Sequence, residues 1–293
     1  MEQRYIYRQL NAFSSGKSTG NPCACIYLSE SEEISEYDML TIAKYHKGCV
    51  SEVIYCTTVN TCLYRLRYYS SECEVEFCGH ATIACMYNLI KSNKDLESVP
   101  ELMIETNKGK LKVYNEVKSH NAVYITAPEP EFIPFTININ NIAENINIPN
   151  VLINDNYPIE LIDAGLRTLL IPLTTFDSVI NLLPDEAALK EFCEKNGVDI
   201  VLVFTDNVIN KSNKIRTRVF APKFGYLEDP ATGSGNSAMG YYMLKHTLWN
   251  GQAISIEQNA EKENYNIVKL KVQNNKLLFG GGAVLKIEGY YTP

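Results

Sequence analysis

The chain has 293 residues, 45% hydrophobic and 21% charged, with a formal charge of −7. That length fits two domains of ~150 residues, each able to bury a sizeable core, and the composition excludes whole-chain disorder. The acidic balance argues against a nucleic-acid or anionic-membrane partner, because sequence-independent affinity for phosphate comes from excess positive charge.

The opening Met1-Glu2-Gln3-Arg4-Tyr5-Ile6-Tyr7 lacks a charged region followed by an apolar stretch, so no secretory leader is expected. No apolar run approaches the ~18 to 20 residues of a membrane span, and the expected location is the cytoplasm. Strands are expected over residues 5–12, 23–28, 50–57, 63–69 and 111–117, from their length and β-branched or aromatic content. Gly20-Asn21-Pro22 is a turn signal leading into the second of these. Amphipathic helices are expected over 36–45 and 182–194, the latter with Pro184-Asp185-Glu186 as a start signal. Ala127-Pro128-Glu129-Pro130-Glu131 and Pro134 form a break. It sets expected domains of 1–127 and 128–282, with a last strand over 283–293 joining the first domain.

Eight of the nine cysteines fall between Cys23 and Cys85. An odd count without a small-scaffold context points to reduced thiols rather than a disulfide framework. The one close spacing is Cys23-Ala24-Cys25, with no second pair to complete a zinc set, so no metal is expected.

The chain contains an internal repeat. From Cys78-Gly79-His80-Ala81 onward it aligns without gaps on Thr232-Gly233-Ser234-Gly235 onward, matching Gly79 with Gly233, Ala84 with Ala238 and Tyr87 with Tyr241. Each copy follows an Arg-rich strand, Arg65-Leu66-Arg67-Tyr68-Tyr69 and Arg216-Thr217-Arg218-Val219-Phe220. Each then reads as a helix without a solvated face, and such a helix must be buried. The predicted architecture is α+β: two similar halves, each a curved sheet around a central helix. Two unrelated buried helices sharing small residues is the other reading.

A glycine opening a buried helix leaves amides without partners at the positive end of the dipole, so Gly79 and Gly233-Ser234 are candidate sites for a carboxylate. The bland role of these glycines is a tight turn. Glu52 shares a strand face with Val50, Ile54 and Cys56. If that face is buried, Glu52 is a candidate proton shuttle; if the opposite face is buried, it is solvated. His80, in the first turn of its helix, is expected to be neutral and hydrogen-bonding. Asp229 can cap the turn before Gly233, and Glu228 beside it is read as solvated.

Glu228-Asp229-Pro230-Ala231-Thr232-Gly233-Ser234 resembles the signature of the phenazine-biosynthesis PhzF-like family, and Glu76-Phe77-Cys78-Gly79-His80-Ala81-Thr82 is similar to its first-half motif. Gly20-Asn21-Pro22 and Ser51-Glu52 fall where that family has a turn and its glutamate. The resemblance spans nearly the whole chain. It implies two diaminopimelate-epimerase-like domains related by a pseudo-two-fold axis, with one active site between them. It also implies a cofactor-free isomerase acting on a small carboxylate-bearing molecule. Glu52 would be the acid/base, and His80 and Asp229 would hydrogen-bond the substrate. Gly79, Gly233, Ser234 and Asn21 would bind it, and a homodimer occurs in the family. Two-base epimerases of this fold carry a cysteine ahead of each helix. Here Cys78 stands in the first place and Thr232 in the second, so a two-thiol racemase is disfavoured. Cys78 also departs from the alanine common in phenazine-pathway members. A non-catalytic carboxylate-binding protein and a one-thiol epimerase using Cys78 are the alternatives.

Overall fold

The computed structural model describes residues 4–292. Met1–Gln3 and Pro293, the outermost residues of the expected leader-free start and of the expected last strand, lie outside the described residues. The first half contains β1 (Tyr5–Ala12), β2 (Asn21–Leu28), α1 (Glu36–Tyr45), β3 (Val53–Asn60), β4 (Leu63–Tyr69), β5 (Glu74–Val75), α2 (Gly79–Ser92), β6 (Glu101–Thr106), β7 (Gly109–Glu116), α3 (Val117–His120) and β8 (Ala122–Thr126). The second continues with β9 (Glu131–Ile133), α4 (Ile139–Asn145), β10 (Glu160–Asp163), β11 (Arg167–Pro172), α5 (Phe176–Ile180), α6 (Glu186–Lys195), β12 (Ile200–Thr205), β13 (Ile215–Phe220), β14 (Glu228–Asp229) and α7 (Gly233–Lys245). It ends with β15 (Ile254–Gln258), β16 (Asn266–Gln273), β17 (Lys276–Gly281) and β18 (Ala283–Tyr291). Two compact units divide these elements: one holds the chain up to Ser14, Thr19–Thr126 and everything from Gly280; the other holds Ser15–Ser18 and Ala127–Phe279.

In the first unit β1 lies between β18 and β2, antiparallel to both. The sheet continues β2-β3-β4-β6-β7-β8, with β2–β3 and β4–β6 parallel and the remaining pairs antiparallel. The two parallel pairs need crossovers, and α1 and α2 supply them. The sheet curves round α2, which packs against β1, β2, β3, β7, β8 and β18. Every α2 residue from Ala81 to Asn88 is buried, and so is Ile90. Ile83, Met86 and Ile90 each stabilise the fold by about 1.5–3 kcal/mol through that burial. On the sheet's other face Ala24, Ile26, Leu28, Val53 and Tyr55 pack with Met39, Ile42 and Ala43 of α1. β2 and β3 are therefore covered on both sides.

The second unit repeats this plan. Its order is β9-β10-β11-β12-β13-β15-β16, with β11–β12 and β13–β15 parallel and the other pairs antiparallel. α7 is the crossover between β13 and β15, as α2 is between β4 and β6, and it packs on β10, β11 and β16. Its own faces are buried nearly all round. The outer layer is built from α4, α5 and α6 over a core that includes Leu169, Ile171, Val201 and Val203.

Four expected elements shift; the strands expected over 23–28 and 111–117 run over Asn21–Leu28 and Gly109–Glu116. The helix expected from 182 begins at Glu186, because Asp185 takes the N-cap and accepts the Ala188 amide, while Leu182 is buried in the core. The strand expected over 50–57 runs from Val53 to Asn60, where its antiparallel pairing with β4 begins and ends.

The repeat extends to ion pairs that the sequence reading missed. Arg67 forks onto Glu74, with Nε at 2.7 Å and Nη2 at 2.8 Å from the two carboxylate oxygens. Arg218 forks onto Glu228 at 3.0 and 2.8 Å. Glu228 is thus paired rather than solvated, a correction of the sequence reading. Each fork ties the strand before the central helix to the two-residue strand that returns towards it. Glu74 is held below the usual carboxylate range, chiefly by its hydrogen bonds to Arg67. Its stabilising effect is complete above the unfolded carboxylate pKa and fades as pH falls through the lowered folded value.

The environments of the two forks differ. The Arg218 side chain is 4% exposed and also donates to the Val179, Ile180 and Leu182 carbonyls, whereas that of Arg67 is 23% exposed. Arg218→Ala should cost about 3–5 kcal/mol by leaving buried acceptors and a carboxylate unpaired. Arg67→Ala should cost about 1 kcal/mol. Urea unfolding of the two variants checks the order.

Candidate active site

Glu52 sits one residue ahead of β3, and its carbonyl accepts the Ala24 amide, which locks it to β2. The β3 register sets its direction. Val53 and Tyr55 face α1, so Glu52, with Ile54 and Cys56, faces the side where α2 lies. β4 runs antiparallel to β3, so the end of β4 at Tyr69 returns to Val53. From there β5 and the Arg67–Glu74 fork lead the chain into the start of α2. That topology brings residues 51–52 and 78–80 together.

Four side chains meet there. His80 Nε2 lies 3.3 Å from Glu52 Oε2 and 3.3 Å from Ser51 Oγ. Cys78 Sγ lies 3.4 Å from His80 Nδ1. Glu52 Oε2 is buried and makes no hydrogen bond among the described residues. A carboxylate oxygen with an unused lone pair beside an imidazole is placed to exchange a proton with a bound molecule. Cys78 is different. Burial, and then the negative charge of Glu52, push its thiol well above the ordinary cysteine value, with the Ala81 amide opposing. It is therefore a neutral thiol near pH 7. Ser51 was not singled out in the sequence as a functional residue, since a serine beside a strand gives no signal of its own.

Neither central helix has a side-chain N-cap. In α2 the Thr82 hydroxyl donates to the Cys78 carbonyl at 2.7 Å, which leaves the Tyr68 hydroxyl to donate to Thr82 at 2.7 Å. In α7 the buried Gln258 does the fastening. Its Oε1 accepts the Thr232 amide at 3.0 Å and its Nε2 donates to the Asp229 carbonyl and Thr232 Oγ1. Both sets fix the turn without using the amides of Gly79 and His80 or of Gly233 and Ser234, whereas the Ala81 amide already meets the Cys78 sulfur. Asp229 Oδ1 accepts the Ala231 amide at 3.2 Å, the capping role expected of it. Gly79 and Gly233 are the first residues of their helices, with Ser234 next in α7. Asn21 is buried at the start of β2, opposite Ala12. Gly20 before it has φ +71°, and a Cβ there would meet the Ala12 carbonyl at 2.7 Å, so the turn demands glycine.

The structure separates the two copies chemically. β3 meets β4 at Val53–Tyr69 and β12 meets β13 at Val201–Phe220, which puts Ile200 at the place of Glu52. Ile200 is buried. The first unit holds Glu52, Ser51, Cys78 and His80 together; the second offers Asp229, Gly233 and Ser234 without a matching acid. Glu52, Cys78 and His80 present ligand atoms within 4.8 Å of one another, a grouping that the sequence reading did not assemble. Their numbers, scattered over two segments, form no metal motif in the sequence.

Gly233 is also sterically fixed. A Cβ at this position would lie 2.4 Å from the ring of the buried Phe279. Gly233→Ala should therefore destabilise the second unit by about 1–3 kcal/mol, read from its denaturant midpoint.

Known proteins match this arrangement across their length. Among relatives, "Antisense-enhancing sequence 1" of Schizosaccharomyces pombe is 26% identical, covering 97% of this chain and 98% of its own. "Uncharacterized isomerase YfhB" of Bacillus subtilis is 28% identical over 85% and 84%. A trans-2,3-dihydro-3-hydroxyanthranilate isomerase of Pseudomonas chlororaphis is 24% identical over 95% and 99%. The crystal structure of a PhzF-family phenazine biosynthesis protein of Bacillus anthracis superposes with a TM-score of 0.84 at 21% identity, covering 99% of both chains. The likeness establishes the epimerase-like fold. Residues 10–289 match the family described as phenazine biosynthesis-like protein, and the chain belongs to that family.

Proposed function

We propose that this chain is a cofactor-independent isomerase that moves a proton within a small carboxylate-bearing substrate, with Glu52 as the acid/base. The observation that carries this is the buried Glu52 Oε2, without a hydrogen bond and 3.3 Å from His80 Nε2. Glu52 takes a proton from one carbon of the substrate and returns it to another. The substrate's electrons shift along its unsaturated frame, so the product has the same oxidation state and no redox partner enters the balance. Acid/base help of this kind contributes typically about 10²–10⁴-fold to a rate.

His80 and Asp229 hydrogen-bond the substrate and steady the charge that develops as the proton leaves. Gly79, Gly233, Ser234 and Asn21 are the substrate-binding residues, the glycine-opened helix starts offering amides suited to a carboxylate. The named activity of the Pseudomonas chlororaphis relative and the family membership support this reaction class. A cyclic, unsaturated amino- or hydroxy-carboxylate is the substrate class that suits it. The one-thiol alternative fares worse, since a thiol pushed up by burial and by Glu52 is a poor carbon base at neutral pH.

Deuterium uptake tests the proposal. Incubated in heavy water with trans-2,3-dihydro-3-hydroxyanthranilate and related unsaturated carboxylic acids, the protein should introduce solvent deuterium into at least one of them, followed by NMR. Glu52→Gln should lower that exchange by about 100-fold or more, and Asp229→Asn by a smaller factor. Cys78→Ala should lose less than about tenfold. Binding without exchange would favour a carboxylate-binding protein, and a larger loss in Cys78→Ala than in Glu52→Gln would favour thiol chemistry.

A further inference from the structure

We propose that Glu52, Cys78 and His80 form a binding site for a divalent cation of the zinc class. The donors are one carboxylate oxygen, one sulfur and one imidazole nitrogen, a set that suits zinc and its borderline-soft neighbours and is poorly matched to magnesium or calcium. Their ligand atoms lie within 4.8 Å of one another. A tetrahedral ion with bonds of ~2.0–2.3 Å holds its donors about 3.3–3.6 Å apart. Glu52 Oε2 is 3.3 Å and Cys78 Sγ 3.9 Å from His80 Nε2. The sulfur lies nearer Nδ1, at 3.4 Å, than Nε2, so the Cys78 and His80 side chains must rotate to bring all three donors onto one ion.

An ion at this place displaces the 3.3 Å contacts of His80 Nε2 with Glu52 Oε2 and Ser51 Oγ, and its charge offsets the cost of ionising the buried Cys78 thiol. The side chains of Glu52 and His80 keep 19% and 12% exposure, which leaves a way in. On binding, the Cys78 S–H bond breaks, the sulfur's electron pair goes to the metal and the proton goes to solvent. Three protein ligands leave a fourth position for water or a carboxylate. Cys78 is decisive: with an apolar residue in its place two donors remain, too few for a tight site. An ion held there occupies the oxygen that proton transfer needs, so binding and turnover exclude each other. That consequence alone rests on the reading of Glu52 as the base; the binding itself rests on donor geometry.

The test uses the full chain, stripped with chelator and kept reduced. It is titrated with Co²⁺, following thiolate-to-cobalt charge-transfer absorption, and with Zn²⁺ by calorimetry. One ion per chain is expected. Cys78→Ala should abolish the absorption band and weaken zinc binding by at least about 100-fold, since even outer-shell changes cost 10–100-fold. His80→Gln should weaken it comparably, and Cys49→Ser, at an exposed thiol, should change neither signal. Cys78→Ser serves if the alanine variant does not fold. No uptake by the wild-type protein, or uptake by the Cys78 variants equal to wild type, overturns the site. Deuterium exchange by the stripped protein is read separately, so a failure of the Glu52 mechanism leaves the zinc result standing.

Discussion

A helix without a polar side is stable in water only if something encloses it, and much of this molecule follows from meeting that demand twice. α2 and α7 have apolar or small residues around their whole circumference, so each needs a curved sheet rather than a flat neighbour. Enclosure has a cost at the helix start. The first amides cannot bond within the helix, and neither helix has a side-chain cap to satisfy them. The chain must therefore reach the helix through a tightly held turn, and the two Arg–Glu forks supply the hold. Stability and chemistry meet at one place, the mouth of each wrapped helix.

The repetition is scaffold-deep but not chemistry-deep. Arg65 faces Glu105 at 3.8 Å on the surface of the first unit, while the corresponding Arg216 and Glu257 meet at 3.2 Å with no exposure. In the second unit that pair is extended: Arg216 donates to the Asn259 and Glu261 carbonyls, and Glu257 accepts the Ile209 and Asn210 amides. Buried charges need that many partners. The acid beside His80 shows the opposite bias, with Glu52 in one copy and Ile200 in the other. Each half kept the geometry of the duplicated plan and specialised its polar residues.

Much of this was legible in the sequence. The glycine, alanine and tyrosine matches between residues 79–87 and 233–241 exposed the duplication, and the lack of a solvated face on both helices implied the wrapping sheets. Strands 5–12 and 63–69 and the helix 36–45 coincide with β1, β4 and α1. The direction of Glu52 was not legible, for a physical reason. Val53 and Ile54, like Tyr55 and Cys56, are all buried, since β3 carries α1 on one face and the central helix on the other. Alternation separates two faces only when one of them meets water. The Arg–Glu forks escaped because their partners belong to different strands, although Glu74 and Glu228 are spaced 154 residues apart like Gly79 and Gly233. The meeting of Cys78 with Glu52 depends on the β3–β4 register, which no local pattern encodes.

The placement of β18 has a consequence for biosynthesis. β1 is flanked by β2 and by β18, yet nearly three hundred codons separate the synthesis of the one from the other. All of 127–279 is synthesised before β18 appears, and through that time the earlier half has β1 unpaired along one edge. An open strand edge invites other chains, so the nascent first unit is the aggregation-exposed partner until its last ribbon emerges and zips onto it.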